Sequence, residues 1–235
     1  MGNSLTIISK KEKEELYKDL EGKWLIELDG NKIKNEDDFA VAIMNEIDIV
    51  YDYKNLYGYD WYSFRDAATE LEMIREKKFK GGKTDVIIVY DNPRLDMDEI
   101  DRGSIYQHLI SLLHWWKNSL DTRLYLVIDD LTDSLDNKII FGNVLEKEKI
   151  IEAEKGKIIF EMDMEGVELA EDFINQIDEN LDFEEENDYV LIFTNSYSFV
   201  QGIHYHECSL MLIKLIEDIL LKIRKKIKIY LLGNI

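Results

Sequence analysis

The chain is predicted to adopt an α/β fold in which small, mainly parallel sheets carry packed helices, and three observations lead there. Short apolar runs alternate with stretches of helical periodicity, the connections between them are brief, and the order strand, helix, strand, helix, strand occurs twice along 235 residues. Trp24 to Leu28 is a mostly apolar run that ends at Asp29-Gly30, which reads as a strand followed by a turn. Asn35 then stands as an N-cap, and Phe39, Ile43, Ile47 and Val50 recur on one face of a helix. Val86 to Tyr90 is apolar throughout, as a strand near a sheet centre should be, and Pro93, the only proline, closes it. Between Ser104 and Ser119 the residues Ile105, Leu109, Leu112, Leu113 and Trp116 form a helical stripe, and Leu124 to Ile128 is the next buried strand. A long helix over about Cys208 to Lys225 leads into a last strand, Ile227 to Leu232.

The two halves resemble each other. Shifting the chain by 134 positions lays Gly22 to Asp29 over Gly156 to Asp163, Glu12-Lys13-Glu14 over Glu146-Lys147-Glu148, and Asp38-Phe39 over Asp172-Phe173. Asp85 to Asn92 looks like Asp188 to Asn195, and Arg123 to Val127 like Lys228 to Leu232. These matches predict two related domains, 1–133 and a diverged partial repeat over 134–235, joined through the polar stretch Asp129 to Asn137. The second copy lacks about thirty residues after its first helix, the region that holds Tyr57 to Asp66 in the first.

Composition restricts the function. An apolar fraction of 46% specifies a folded chain. The apolar runs are too short to cross a bilayer, the first residues lack the parts of a secretory signal, and Cys208 is the sole cysteine, so a cytoplasmic protein without disulfides is expected. With 49 acidic against 29 basic residues the net charge is −20, which repels nucleic acid and suits a strongly basic protein partner.

The stretch richest in functional residue types is Leu56 to Ala67, where aromatic, glycine and acidic residues alternate. Tyr62 and Asp66 are i, i+4 neighbours on a helix, Arg65 flanks them, and Trp61 and Phe64 point elsewhere. Tyr57-Gly58-x-Asp60-Trp61, Phe64 and Asp66, set after a strand and a first helix and before a buried strand, resemble the partner-binding segment of barstar-type ribonuclease inhibitors. The likeness in order covers roughly residues 22–129, with Asp60 where that family has Asn, Tyr62 in place of its first acid and Ala67 in place of Cys. It implies an immunity protein whose helix and loop plug the active site of a basic toxin, a secreted ribonuclease first of all, with a carboxylate standing where RNA phosphate would sit. Asp66 would be the anchor, and Tyr57, Gly58, Asp60, Tyr62 and Arg65 would line the same rim.

Other chemistry is thinner. His204-x-His206-x-Cys208 has metal-ligand residue types, but on a helix 204 and 206 diverge, and no metal is expected. His108 and His114 read as surface or boundary residues. No phosphate loop, dinucleotide fingerprint or serine elbow is present, and Gly81-Gly82 between lysines is a weak phosphate signal. The expectation is therefore a cofactor-free inhibitor rather than an enzyme, with neither nucleic acid nor membrane as partner. An acidic adaptor acting through the C-terminal copy is the alternative, and a small metal-dependent enzyme using His204 to Cys208 a third. Oligomeric state is left open.

Overall fold

The computed structural model describes residues 3–47, 85–116, 121–129, 131, 136–183, 188–196, 205–223 and 225–233. The fold is α/β, and its eight strands form one sheet in the order β2-β3-β4-β1-β5-β8-β7-β6. The strands are β1 (Ser4–Ser9), β2 (Trp24–Asp29), β3 (Asp85–Asp91), β4 (Asp121–Ile128), β5 (Lys138–Asn143), β6 (Ile158–Asp163), β7 (Tyr189–Thr194) and β8 (Ile227–Gly233). The helices are α1 (Lys10–Leu16), α2 (Glu36–Ile47), α3 (Glu99–Trp116), α4 (Lys147–Ala153), α5 (Ala170–Asn180) and α6 (Tyr205–Ile213), the last running on as a π-helical stretch over Lys214–Leu221. No helix among these residues is long and apolar enough to cross a membrane.

Every strand pair is parallel except β1 with β5, which meet antiparallel over Ser4↔Ile140, Leu5↔Ile139 and Thr6↔Lys138. That short seam joins two four-stranded groups laid down in the same order, β2-β3-β4-β1 and β6-β7-β8-β5. Flanking it, Ile7 N donates to Asn137 O and Phe141 N to Asn3 O, both at 3.0 Å. The two asparagines are buried and do the same work on each side. Asn3 Nδ2 donates to Leu113 O at 2.7 Å while its Oδ1 accepts from Thr122 N at 3.0 Å. Asn137 Nδ2 donates to Leu220 O at 3.0 Å while its Oδ1 accepts from Ile227 N at 2.8 Å. Each side chain thus ties the end of a long helix to the start of the strand that follows it, satisfying backbone groups that burial would otherwise orphan.

Helix starts match as well. Ser9 and Glu12 form a capping box ahead of α1, and Asn143 and Glu146 form one ahead of α4, 134 positions later. Asn35 caps α2 as expected, its Oδ1 accepting from Asp38 N at 2.9 Å.

The sheet is covered on both faces. Alternate strand residues, among them Ile26, Ile88, Tyr90, Leu124 and Leu126, join Phe39 and Ile43 of α2, Leu109 and Leu113 of α3 and Leu212 and Leu215 of the last helix in an apolar cluster that spans both halves. Ile8, Ile87, Val89 and Val127 face the other way, beneath Leu16, Tyr17 and Leu20. Val190, Ile192, Tyr230 and Leu232 do so beneath Val144, Ile150 and Ile151. Such two-sided burial is why β3 and β7 read as unbroken apolar runs. Trp116, with no exposed surface, stacks on Trp24 with ring centroids 6.4 Å apart.

Helices α3 and α6 pack together above the seam. At Gly103 a Cβ would stand 2.6 Å from Ser209 Cβ, so the absence of a side chain sets how closely the two helices approach. Gly103→Ala is expected to cost about 1–3 kcal/mol through overpacking, measured by urea denaturation, even though alanine is the better helix former. A neutral or stabilising result would mean that the helices slide apart freely.

Candidate functional site

All six residues assigned to partner binding, Tyr57, Gly58, Asp60, Tyr62, Arg65 and Asp66, lie outside the described residues, as do Trp61, Phe64 and His204. What is described is the frame that carries them. The chain leaves α2 at Ile47 and re-enters the sheet at Asp85, whereas in the second half it passes from Asn180 at the end of α5 to Tyr189 at the start of β7. The first half therefore holds about thirty more residues at this place, between a helix pinned by Phe39, Ile43, Met44 and Ile47 and a strand hydrogen-bonded on both sides.

The carboxyl ends of the parallel strands, where open α/β sheets commonly bind ligands, carry a second group of polar residues. Asp29 ends β2, Asp91 ends β3, and Lys10 and Lys13 follow β1. Lys13 Nζ reaches Asp91 Oδ2 at 2.6 Å, Lys10 reaches Asp129 at 2.7 Å, and Lys32 reaches Asp29 at 3.0 Å. The Lys32 hydrogen bond holds the Asp29 carboxyl below its ordinary range. Asn92 adopts φ 56°, a left-handed conformation that asparagine tolerates, and its Nδ2 donates to Asn31 Oδ1 at 3.4 Å. A Cβ at Gly30 would stand 2.2 Å from the Asn92 carbonyl oxygen, which explains glycine at that turn. Lys10, Lys13 and Lys32 each meet an aspartate, so these three charges are neutralised within the rim. Among the described residues no group of three or more His, Cys, Asp or Glu side chains is placed to hold a metal ion.

His108 corrects an expectation. It is not a surface residue: 1% of it is exposed, it stacks on Phe39, and its Nε2 lies 2.5 Å from Glu36 Oε1. Burial pushes its pKa down, opposed by the Glu36 carboxylate, so the ring is neutral and Nε2–H donates to Glu36. The turn of α3 that carries it is enclosed by the sheet and neighbouring helices, a placement that periodicity along a single helix does not reveal. Cys208 is buried in α6 and its thiol is pushed up to about 11 by burial and by the Glu207 charge. A thiol so raised holds little thiolate at neutral pH. His206, two positions earlier, is exposed on the same helix.

Two buried carboxylates had no signal in the sequence. Glu217 accepts from Arg102 Nε at 2.8 Å and from Tyr106 OH at 3.0 Å, linking the π-helical stretch to α3. Glu154 accepts from Lys228 Nζ at 2.6 Å, from Tyr230 OH at 2.8 Å and from Lys157, linking the end of α4 to β8. Each accepts three hydrogen bonds from donors of its own chain. They are structural ties.

No family model, curated protein or solved structure matches this chain.

Proposed function

We propose that this protein neutralises a basic protein toxin, most directly a ribonuclease, by inserting the segment around Tyr57 to Asp66 into the toxin's active site. The observation that carries the reading is where that segment stands. It belongs to the extra residues between α2 and β3 that the second half lacks, and its sequence holds Tyr57-Gly58, Asp60 and Asp66 within a chain of net charge −20. Supporting it further, the described elements between Trp24 and Ile128 run strand, helix, strand, helix, strand, in the order that the resemblance to barstar-type inhibitors implies. We read the two halves as copies of one α/β unit, on the strength of their matched strand order, capping boxes and buried asparagines. In this reading the first copy kept or gained a binding segment and the second did not.

The physics is electrostatic and steric. A ribonuclease active site concentrates lysine, arginine and histidine to hold phosphate. A carboxylate delivered there makes charge-assisted hydrogen bonds, and flanking tyrosines exclude water and strengthen them. Asp66→Ala is expected to weaken inhibition of the cognate ribonuclease by about 2–5 kcal/mol, thirtyfold or more, because the toxin's cations are left buried without a partner. Association should also slow as salt is raised. Unchanged inhibition by Asp66→Ala in an RNA-cleavage assay would remove Asp66 from the contact.

A further inference from the structure

The sheet ends at β6. Ile158 N donates to Asp188 O and Met164 N to Thr194 O, both toward β7, so by the alternation of a strand the N–H and C=O groups of Ile159, Glu161 and Asp163 point outward. Among the described residues no strand pairs with that side. The side chains along it are only partly covered: Ile158, Ile159 and Phe160 are half-buried, and Glu161 and Asp163 are exposed. An open edge with unpaired backbone groups is a template for an added strand.

Charge says what kind of strand fits. Between Lys157 and Lys214 the chain contains fourteen acidic residues and neither lysine nor arginine, so this stretch carries most of the net charge. Glu161 pairs with Lys147 and Asp178 with Lys214, but Glu165, Glu168, Glu171 and Asp172, on the connection out of β6 and the start of α5, have no ion-pair partner among the described residues. Glu161 and Asp163 lie on one face of β6, with Phe160 and Ile158 on the other. The opposite edge, β2, differs in having Lys23, Lys32 and Lys34 close by in sequence.

We infer that the β6 edge binds an extended basic segment of a partner protein as a ninth strand. That segment alternates, with lysine or arginine beside Asp163 and beside Glu161, where it displaces Lys147, and apolar residues beside Ile158 and Phe160. Backbone hydrogen bonds supply pairing, and opposite charges across the strands set the register. A second copy of this chain fits less well, because it would bring two stretches of the same strongly negative charge together. The inference is independent of the role given to Asp66.

The probe is a peptide of about eight residues alternating Lys and Val, titrated into the full chain by fluorescence anisotropy, with amide hydrogen exchange followed by NMR. Saturable binding is expected, with the amides of Ile159, Glu161 and Asp163 becoming protected. Glu161→Pro, which removes one outward N–H, should weaken binding by about tenfold or more, and Glu161→Gln, which keeps the donor and loses the charge, by about threefold. Asp66→Ala should leave peptide binding unchanged, so failure here and failure of the inhibitor reading are separable. Equal binding by a peptide of the same charge with proline in place of the central valine would overturn the inference. So would the absence of binding, or binding without protection of those amides in the wild-type chain, a measurement that does not depend on how the proline variant folds.

Discussion

Glu217→Ala is expected to destabilise the fold by about 3–5 kcal/mol, a large share of the 5–15 kcal/mol typical of a domain. Glu217 is 8% exposed and receives Arg102 in a forked arrangement, at 2.8 Å from Nε to Oε1 and 3.3 Å from Nη2 to Oε2, with Tyr106 OH as a third donor. Removing the carboxylate leaves a mostly covered guanidinium without this counter-charge, retaining among the described residues its bond from Nη1 to Met97 O, and leaves the buried Tyr106 hydroxyl without its acceptor Oε1. The cost comes from the partners left behind rather than from the pair as such. For that reason Arg102→Met combined with Glu217→Leu should recover most of the loss, and the coupling between the two sites should exceed about 1 kcal/mol in a double-mutant cycle. A loss below about 1 kcal/mol for Glu217→Ala in chemical denaturation would mean that water reaches the pair and that α3 and α6 are held by packing alone.

Acid is expected to weaken the fold through Glu154. Burial alone would raise its pKa, but hydrogen bonds from Lys157, Lys228 and Tyr230 outweigh that effect and bring the carboxyl from an ordinary 4.5 down to about 2. Because the folded value lies below the unfolded one, the ionised group stabilises fully above pH 4.5, and the contribution fades as pH falls toward 2. A shift of that size corresponds to about 3 kcal/mol. Thermal unfolding followed between pH 6 and pH 2 should show a decline in wild type that Glu154→Gln largely lacks, the variant starting from lower stability at neutral pH. Parallel pH profiles for the two proteins would remove Glu154 as the cause.

How much of this was legible in the sequence differs by element. Mostly apolar runs announce strands, and so Trp24 to Leu28, Val86 to Tyr90, Leu124 to Ile128 and Ile227 to Leu232 all fall within strands. The face of α2 was readable because Phe39, Ile43 and Ile47 all turn inward. The strands β1 and β5 were missed: Ser-Leu-Thr-Ile-Ile-Ser and Lys-Ile-Ile-Phe-Gly-Asn are short, mixed in polarity, and made into strands by partners more than a hundred residues away for β1 and nearly as many for the β5 pairing with β8. For the same reason the joining of the halves into one sheet was invisible, since three residue pairs across the seam have no local signature. The buried ties at His108, Glu154 and Glu217 are equally nonlocal, each depending on a donor or acceptor far along the chain. The segment from Tyr57 to Asp66 was picked out by composition and resemblance and lies outside the described residues.

The place of β1 governs how the molecule assembles. β1 is synthesised before both of its neighbours, β4 and β5, and lies between them in the middle of the finished sheet. A nascent chain that has emerged only as far as Ile128 presents β1 with a bare flank, and it keeps that flank until Lys138 to Asn143 arrive to cover it. A fragment cut within 129–137 would retain the bare flank permanently and find its missing neighbour in another molecule, giving aggregates or exchanged dimers where the intact chain closes on itself.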